Sequence, residues 1–167
     1  ASYKLRASDG ILAQSSATFN ITSAAASSLV MSGYGTSQTA GASFGLTLTA
    51  KDAYGNVADT YLGTVAFPSA DPAAVLPSNT AFSAGDAGIH GFTAAFRTSG
   101  SYQLTATDTL SAGITVTSSA ISVSPAGPDH LAWGQQPSNT TAKVMIAPAV
   151  TLHVLDYYGN QTTSGAS

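Results

Sequence analysis

The chain has 167 residues, 44% of them hydrophobic and only 8% charged, with a formal net charge of −3 and no cysteine. The missing cysteine excludes a disulfide framework, a thiolate metal site and a cysteine nucleophile. The slight acidity leaves no electrostatic footprint for nucleic acid or an anionic membrane, and no apolar run reaches the roughly 18 residues of a spanning helix. All eight acidic residues are Asp. Without Glu and with few Lys, two of the best helix-surface formers are gone, while Thr, Val, Ser, Gly and Ala abound, so composition alone favours an all-β chain.

From the start, residues 1–10 alternate like a strand and lack the apolar centre of a signal peptide, and they read as the interior of something longer. Ser2-Tyr3-Lys4-Leu5-Arg6-Ala7-Ser8-Asp9 returns as Ser101-Tyr102-Gln103-Leu104-Thr105-Ala106-Thr107-Asp108, offset by 99. Phe19-Asn20-Ile21 answers to Ile121-Ser122-Val123, and Leu29-Val30-Met31 to Leu131-Ala132-Trp133, both offset by 102. Asp52-Ala53-Tyr54-Gly55-Asn56 recurs as Asp156-Tyr157-Tyr158-Gly159-Asn160, offset by 104. Four matches in one order define a repeat of about a hundred residues. The expected division is 1–24 as the last strands of one unit, 25–127 as a complete unit, and 128–167 as the first strands of a third. Nothing in either flank corresponds to the stretch from Thr64 to Gly100, so the chain reads as a window on a longer array rather than a self-completing subunit.

Within the complete unit the period is two. Phe44, Leu46, Leu48 and Ala50 alternate with Gly45, Thr47, Thr49 and Lys51; Val65 pairs with Phe67; Phe92, Ala94 and Phe96 form one face; and Tyr102, Leu104 and Ala106 form another. Ile114 with Val116 and Ile121 with Val123 add further inward pairs. Clusters of Gly, Pro, Ser, Asn and Asp separate these runs, among them Gly55-Asn56, Ser69–Pro72 and Gly85–Gly88. About seven short strands with one-sided alternation predict an all-β, antiparallel two-sheet β-sandwich per unit. Its core is expected to rest on Phe44, Leu46, Leu48, Phe67, Phe92, Phe96, Tyr102 and Leu104.

The run from Leu46 through Lys51-Asp52-Ala53-Tyr54-Gly55-Asn56 to Pro77 resembles tandem bacterial immunoglobulin-like repeats of giant secreted or surface proteins, including invasin- and intimin-type adhesin stalks. Asp86-Ala87-Gly88-Ile89-His90-Gly91-Phe92 has the spacing D-x-G-x-Y-x-C of immunoglobulin strands, with His for Tyr and Phe for Cys. The third segment, with Trp133, Gln136-Pro137-Ser138 and Pro148-Ala149-Val150, is similar to a sister subtype. The resemblance implies a spacer or adhesive role at the bacterial surface, outside the cell, without catalysis or cofactor.

Asp-x-x-Gly-Asn, at Asp52, Gly55 and Asn56 and again at Asp156, Gly159 and Asn160, is read as a structural turn, because its carboxylates are too sparse for a calcium loop. Asp9, Asp108 and Asp129 fall near expected boundaries and are read as capping or solvated. His90, His130 and His153 share no ligand spacing, and no G-x-S-x-G elbow accompanies the serines. Lys51 and Lys143 lack the buried setting of an isopeptide crosslink. Trp133, at the position of Met31, is expected to fill a strand core position or a unit junction rather than join Tyr157 and Tyr158 in a sugar platform, and Tyr54 and Tyr158 are expected to pack on an adjacent unit. Asn20, Asn139 and Asn160 head N-x-T triplets that locate exposed loops. The functional expectation is a non-catalytic structural or adhesive segment whose partners are neighbouring repeats, with room for lateral self-association and no nucleic acid or membrane insertion. The alternatives are a glycan- or protein-binding module and an accessory segment of a secreted enzyme.

Overall fold

β-branched and small residues in two-residue alternation, punctuated by turn formers, dictate short strands, and short strands are what the chain forms. The computed structural model describes residues 2–162. In chain order the strands are β1 (Ser2–Tyr3), β2 (Arg6–Ser8), β3 (Ala13–Ser15), β4 (Phe19–Asn20), β5 (Ala26–Ser32), β6 (Ser37–Thr39), β7 (Phe44–Asp52), β8 (Thr64–Ala66) and β9 (Thr80–Ala81). After a single 3₁₀ turn (Ala84–Asp86) come β10 (Ile89–Ala94), β11 (Gly100–Tyr102), β12 (Thr105–Asp108), β13 (Thr115–Thr117), β14 (Ile121–Ser124), β15 (His130–Gln135) and β16 (Thr151–Leu155).

The middle stretch is a two-layer antiparallel sandwich. One sheet has the order β10-β7-β5; the other runs β9-β8-β12-β13 and is continued by β11-β14-β6. This is the immunoglobulin division, with the first, second and fifth strands in one layer and the third and the last two in the other. One pair, β6 with β14, is parallel. Phe44, Leu46, Leu48, Val65, Phe67, Phe92, Phe96, Leu104, Ile121 and Val123 from both layers form one buried cluster, with Tyr102 partly buried against it. Phe96 stacks 5.3 Å from Tyr102 and lies 5.7 Å from Phe44, while Phe67 meets Phe92 edge-on at 4.8 Å. The inward aromatics thus bridge the layers where Ala and Val leave space.

The Asp86–Phe92 run departs from its immunoglobulin counterpart. In that fold the D-x-G-x-Y-x-C strand lies in the layer opposite β5 and β7; here β10 pairs with β7, Phe92 opposite Leu46. His90 makes no tyrosine corner. Its Nδ1 is 2.7 Å from Asp86 Oδ1, closing the 3₁₀ turn beneath the strand. The buried tyrosine hydroxyl of this sandwich belongs to Tyr61, which donates to Asp108 Oδ2 at 2.6 Å.

The flanks repeat the pairing of the middle stretch residue for residue. Ser2 pairs with Asn20 and Tyr3 with Phe19, as Ser101 pairs with Ser122 and Tyr102 with Ile121. Arg6, Ala7 and Ser8 oppose Ser15, Gln14 and Ala13, as Thr105, Ala106 and Thr107 oppose Thr117, Val116 and Thr115. The kink between the half-strands also recurs: Leu5 N–H donates to Ser16 Oγ as Leu104 N–H does to Ser118 Oγ. At the other end, β15 opposes β16 with His130 at Leu155 and Leu131 at Val154, reproducing Ser28 at Lys51 and Leu29 at Ala50.

Trp133 does not occupy a core. It is 54% exposed, against 9% for Met31 at the matching position. β15 and β16 form a two-stranded ribbon with no second layer over it among the described residues, so the face that Met31 buries is open there.

Candidate functional site

One feature built twice with the same atoms is the Asp-x-Tyr-Gly-Asn turn. In each copy the Asp carboxylate bends back over its own loop. Asp52 Oδ1 accepts from the N–H groups of Tyr54 and Asn56, both at 2.9 Å. Asp156 Oδ1 accepts from Tyr158 and Asn160 at 2.9 and 2.8 Å. The second oxygen takes the Asn side-chain amide, at 3.0 Å from Asn56 and 2.8 Å from Asn160. Gly55 and Gly159 carry φ of 84° and 85°, a left-handed conformation that glycine adopts without strain.

The same second oxygen then reaches out of the turn to the incoming chain. Ala24 N–H donates to Asp52 Oδ2 at 3.0 Å, and Ala126 N–H donates to Asp156 Oδ2 at 2.8 Å. One carboxylate therefore closes the turn at the end of β7 or β16 and pins the connection that leads into that strand's pairing partner, β5 or β15. At the first junction Ser23 Oγ also donates to Asp59 Oδ1 at 2.6 Å.

At the second junction the turn also grips the sandwich before it. Asn160 Oδ1 accepts from Ser99 N–H at 2.7 Å, and Asn160 Nδ2 donates to the Arg97 carbonyl at 2.8 Å. Tyr158 lies over Gly41, whose φ is 80°, where a methyl group would overlap the ring. The Arg97 guanidinium stands 5.5 Å from the same ring. Asp71 holds the gripped loop from behind, its carboxylate accepting from Arg97 N–H at 2.9 Å and from the Thr98 N–H and hydroxyl. A continuous network thus runs from Asp71 through Arg97–Ser99 and Asn160 to Asp156 and Ala126.

Of the sequence-identified residues, the structure brings Asp156, Gly159 and Asn160 together with the preceding sandwich. It leaves Asp52, Gly55 and Asn56 joined to one another and to the linker at Ala24. Tyr158 packs on its neighbour, whereas Tyr54 is 83% exposed, because no counterpart of Gly41 and Arg97 stands opposite it among the described residues. Asn160 is buried and doubly bonded, so its N-x-T triplet marks no exposed loop, and Asn20 lies in β4. Asp9 and Asp108 cap hairpin tips, accepting from the N–H groups of Ile11 and Leu12 and of Leu110 and Ser111. Lys51 Nζ donates to the Gly55 carbonyl, and Trp133 makes no ring contact with Tyr157 or Tyr158. Among the described residues no three His, Asp or Glu side chains converge as a metal cage. Asp71 escapes the sequence reading as a site residue because the partners it holds across the fold, Arg97 and Thr98, lie 26 and 27 residues away; the Ser-Ala-Asp-Pro turn is its only local signal.

The buried carboxylates are structural acceptors, and their protonation follows from that. Asn56 above all, with the backbone donors, holds Asp52 at about 2, and the Ser83 hydroxyl leads the groups that hold Asp86 at about 2, against an ordinary 3.8. For Asp71, Asp108 and Asp156, burial pushes upward, but the hydrogen bonds outweigh it and lower all three. A general acid or base working near neutrality needs the opposite tuning. Below about pH 4 the unfolded chain binds protons that the folded carboxylates refuse, so stability falls as pH falls. The urea midpoint is expected to stay level from about pH 7 to 5 and to drop steadily between about pH 4 and 2. A midpoint unchanged or raised by acid would contradict the structural role of these groups.

No protein-family model and no curated protein matches the sequence. Solved structures do. The chain is similar to the Escherichia coli adhesin FdeC, with 20% identity and a TM-score of 0.56 over 87% of this chain and 46% of that one, so it spans about half the length of that structure. It is also similar to domains 4–9 of the surface layer protein SbsC (17% identity, TM-score 0.48, 97% of this chain and 25% of that one). A third likeness is to the S-layer protein rSbsC(31-844), at 18% identity and a TM-score of 0.48, over 100% of this chain and 21% of that one. The FdeC likeness supports the β-sandwich fold.

Proposed function

We propose that the chain is a non-catalytic structural segment of a bacterial surface protein, carried outside the cell, in which sandwiches follow one another and serve as a spacer. On this reading residues 1–24 end one unit, 25–127 form a whole unit and 128–167 begin the next. Their partners are the neighbouring units of the same chain. The observation that carries it is the recurrence of one junction: the Ala24–Asp52 and Ala126–Asp156 bonds join linker to turn with the same atoms in the same order. A linker pinned by a carboxylate and a loop gripped by Asn160 restrict bending between successive sandwiches, which is what a spacer requires. The sandwich seen in an E. coli adhesin supports the surface assignment, and the Leu46–Pro77 motif resemblance supports repeats of the invasin and intimin kind. Lowered carboxylate pKa values speak for scaffolding over proton transfer.

The reading is tested by small-angle scattering on a series in which residues 25–126 are duplicated in tandem within the chain. The maximum dimension is expected to grow by a constant increment with each added unit. A dimension that stays level, with the added units folding back on one another, would sink the spacer reading.

A further inference from the structure

The two turns are alike inside and unlike outside. Asn160 is 6% exposed, with its amide divided between Ser99 and Arg97, and Tyr158 is 37% exposed. Asn56 turns its Nδ2 to both oxygens of Asp52, its Oδ1 accepts no hydrogen bond among the described residues, and Tyr54 is 83% exposed. Beside Asn56 an open cleft of about 540 Å³ separates the turn from the first segment, with Ser2, Tyr3 and Asn20 on its far wall. By strand pairing Ser2 stands where Ser101 stands in the middle sandwich. In the middle sandwich the Arg97–Ser99 loop enters β11 two residues before Ser101, so an equivalent loop placed ahead of Ser2 would reach the mouth of the cleft.

We infer that the Tyr54–Asn56 turn is a second docking site, for the end of a sandwich set ahead of β1. Its occupant presents a backbone carbonyl and an N–H two residues apart to the Asn56 amide, and a glycine under the Tyr54 ring. The chemistry is that of the filled junction: Asn56 Oδ1 accepts the N–H, Asn56 Nδ2 donates to the carbonyl, and the ring covers a surface that has no Cβ. The inference rests on the spacer reading, since it treats successive units as equivalent.

The experiment fuses a copy of residues 25–100 directly ahead of Ser2 in the full chain and maps tyrosine nitration by mass spectrometry. Tyr157, 76% exposed, serves as the internal reference. Tyr54 reactivity relative to Tyr157 is expected to fall about twofold, to the level of Tyr158, in line with their exposures of 83% and 37%. Gly41→Leu in the added copy is expected to restore it. Tyr54 remaining as reactive as in the parent chain, or the added copy gaining no amide-exchange protection, overturns the inference. Scattering on the same fusion separates the two proposals: a longer particle with a reactive Tyr54 sinks this inference alone, whereas a particle no longer than the parent sinks the spacer reading.

Discussion

Phe96→Ala is expected to destabilise the middle sandwich by about 3–5 kcal/mol, the usual range for truncating a fully buried phenylalanine. The side chain is 1% exposed and sits between Phe44 and Tyr102, so its loss opens a cavity that two rings cannot collapse into without leaving their own layers. Its backbone matters as well. The Phe96 carbonyl accepts from Gly41 N–H at 2.8 Å, which fixes the platform under Tyr158. The variant should therefore unfold at markedly lower urea and show a more reactive Tyr158 before the global transition. Val30→Ala on the 42%-exposed face of β5 is the control, expected within about 0.5 kcal/mol of the parent. Equal effects of the two substitutions would mean the core has been placed wrongly.

The second large effect is expected at Asp156. Its carboxylate is fully buried and accepts from Tyr158, Asn160 and Ala126 main-chain N–H groups and from the Asn160 amide. Asp156→Ala strands all four donors, and at about 1–3 kcal/mol for each buried donor left unsatisfied the loss reaches several kcal/mol. The damage should stay local. Hydrogen exchange at Ala126, Tyr158 and Asn160 should speed up by orders of magnitude, while Leu48 in β7 keeps its protection. Asn160→Ala should be milder inside the turn yet release Ser99 N–H and the Arg97 carbonyl, separating closure of the hairpin from grip on the neighbour. Unchanged exchange at Ala126 in Asp156→Ala would show that the linker is held by something else.

These two residues also mark what a sequence reveals. Phe96 was legible because alternation along Phe92, Ala94 and Phe96 is a local signal of a strand with one buried face. The Asp156 turn was legible because Asp, Gly and Asn at that spacing have one economical backbone solution, and because it occurs twice. The loop-gripping role of Asn160 was not. It depends on Arg97 and Ser99, over sixty residues away, and no local pattern encodes which loop a surface asparagine will meet. Asp71 and the Tyr61–Asp108 bond were hidden for the same reason: short polar side chains choose partners after the layers have packed. The core alternative for Trp133 rests on analogy with Met31, but equal position in a repeat confers burial only where the covering layer is present. The Asp86–Phe92 run matched a familiar spacing on a different strand, because an Asp beside a glycine turn caps many kinds of hairpin.

Absence of cysteine makes the central claim directly measurable, since two introduced thiols are the only sites a spin label will find. Leu110→Cys at the tip of the β12–β13 hairpin and Leu131→Cys on β15, 92% and 61% exposed in the parent, place one label on each side of the second junction. Pulsed dipolar spectroscopy is expected to return a single narrow distance distribution that broadens when Asp156 and Asn160 are both replaced by Ala. A broad distribution in the parent, indifferent to that double replacement, would contradict the clamped junction and the stiff spacer built on it.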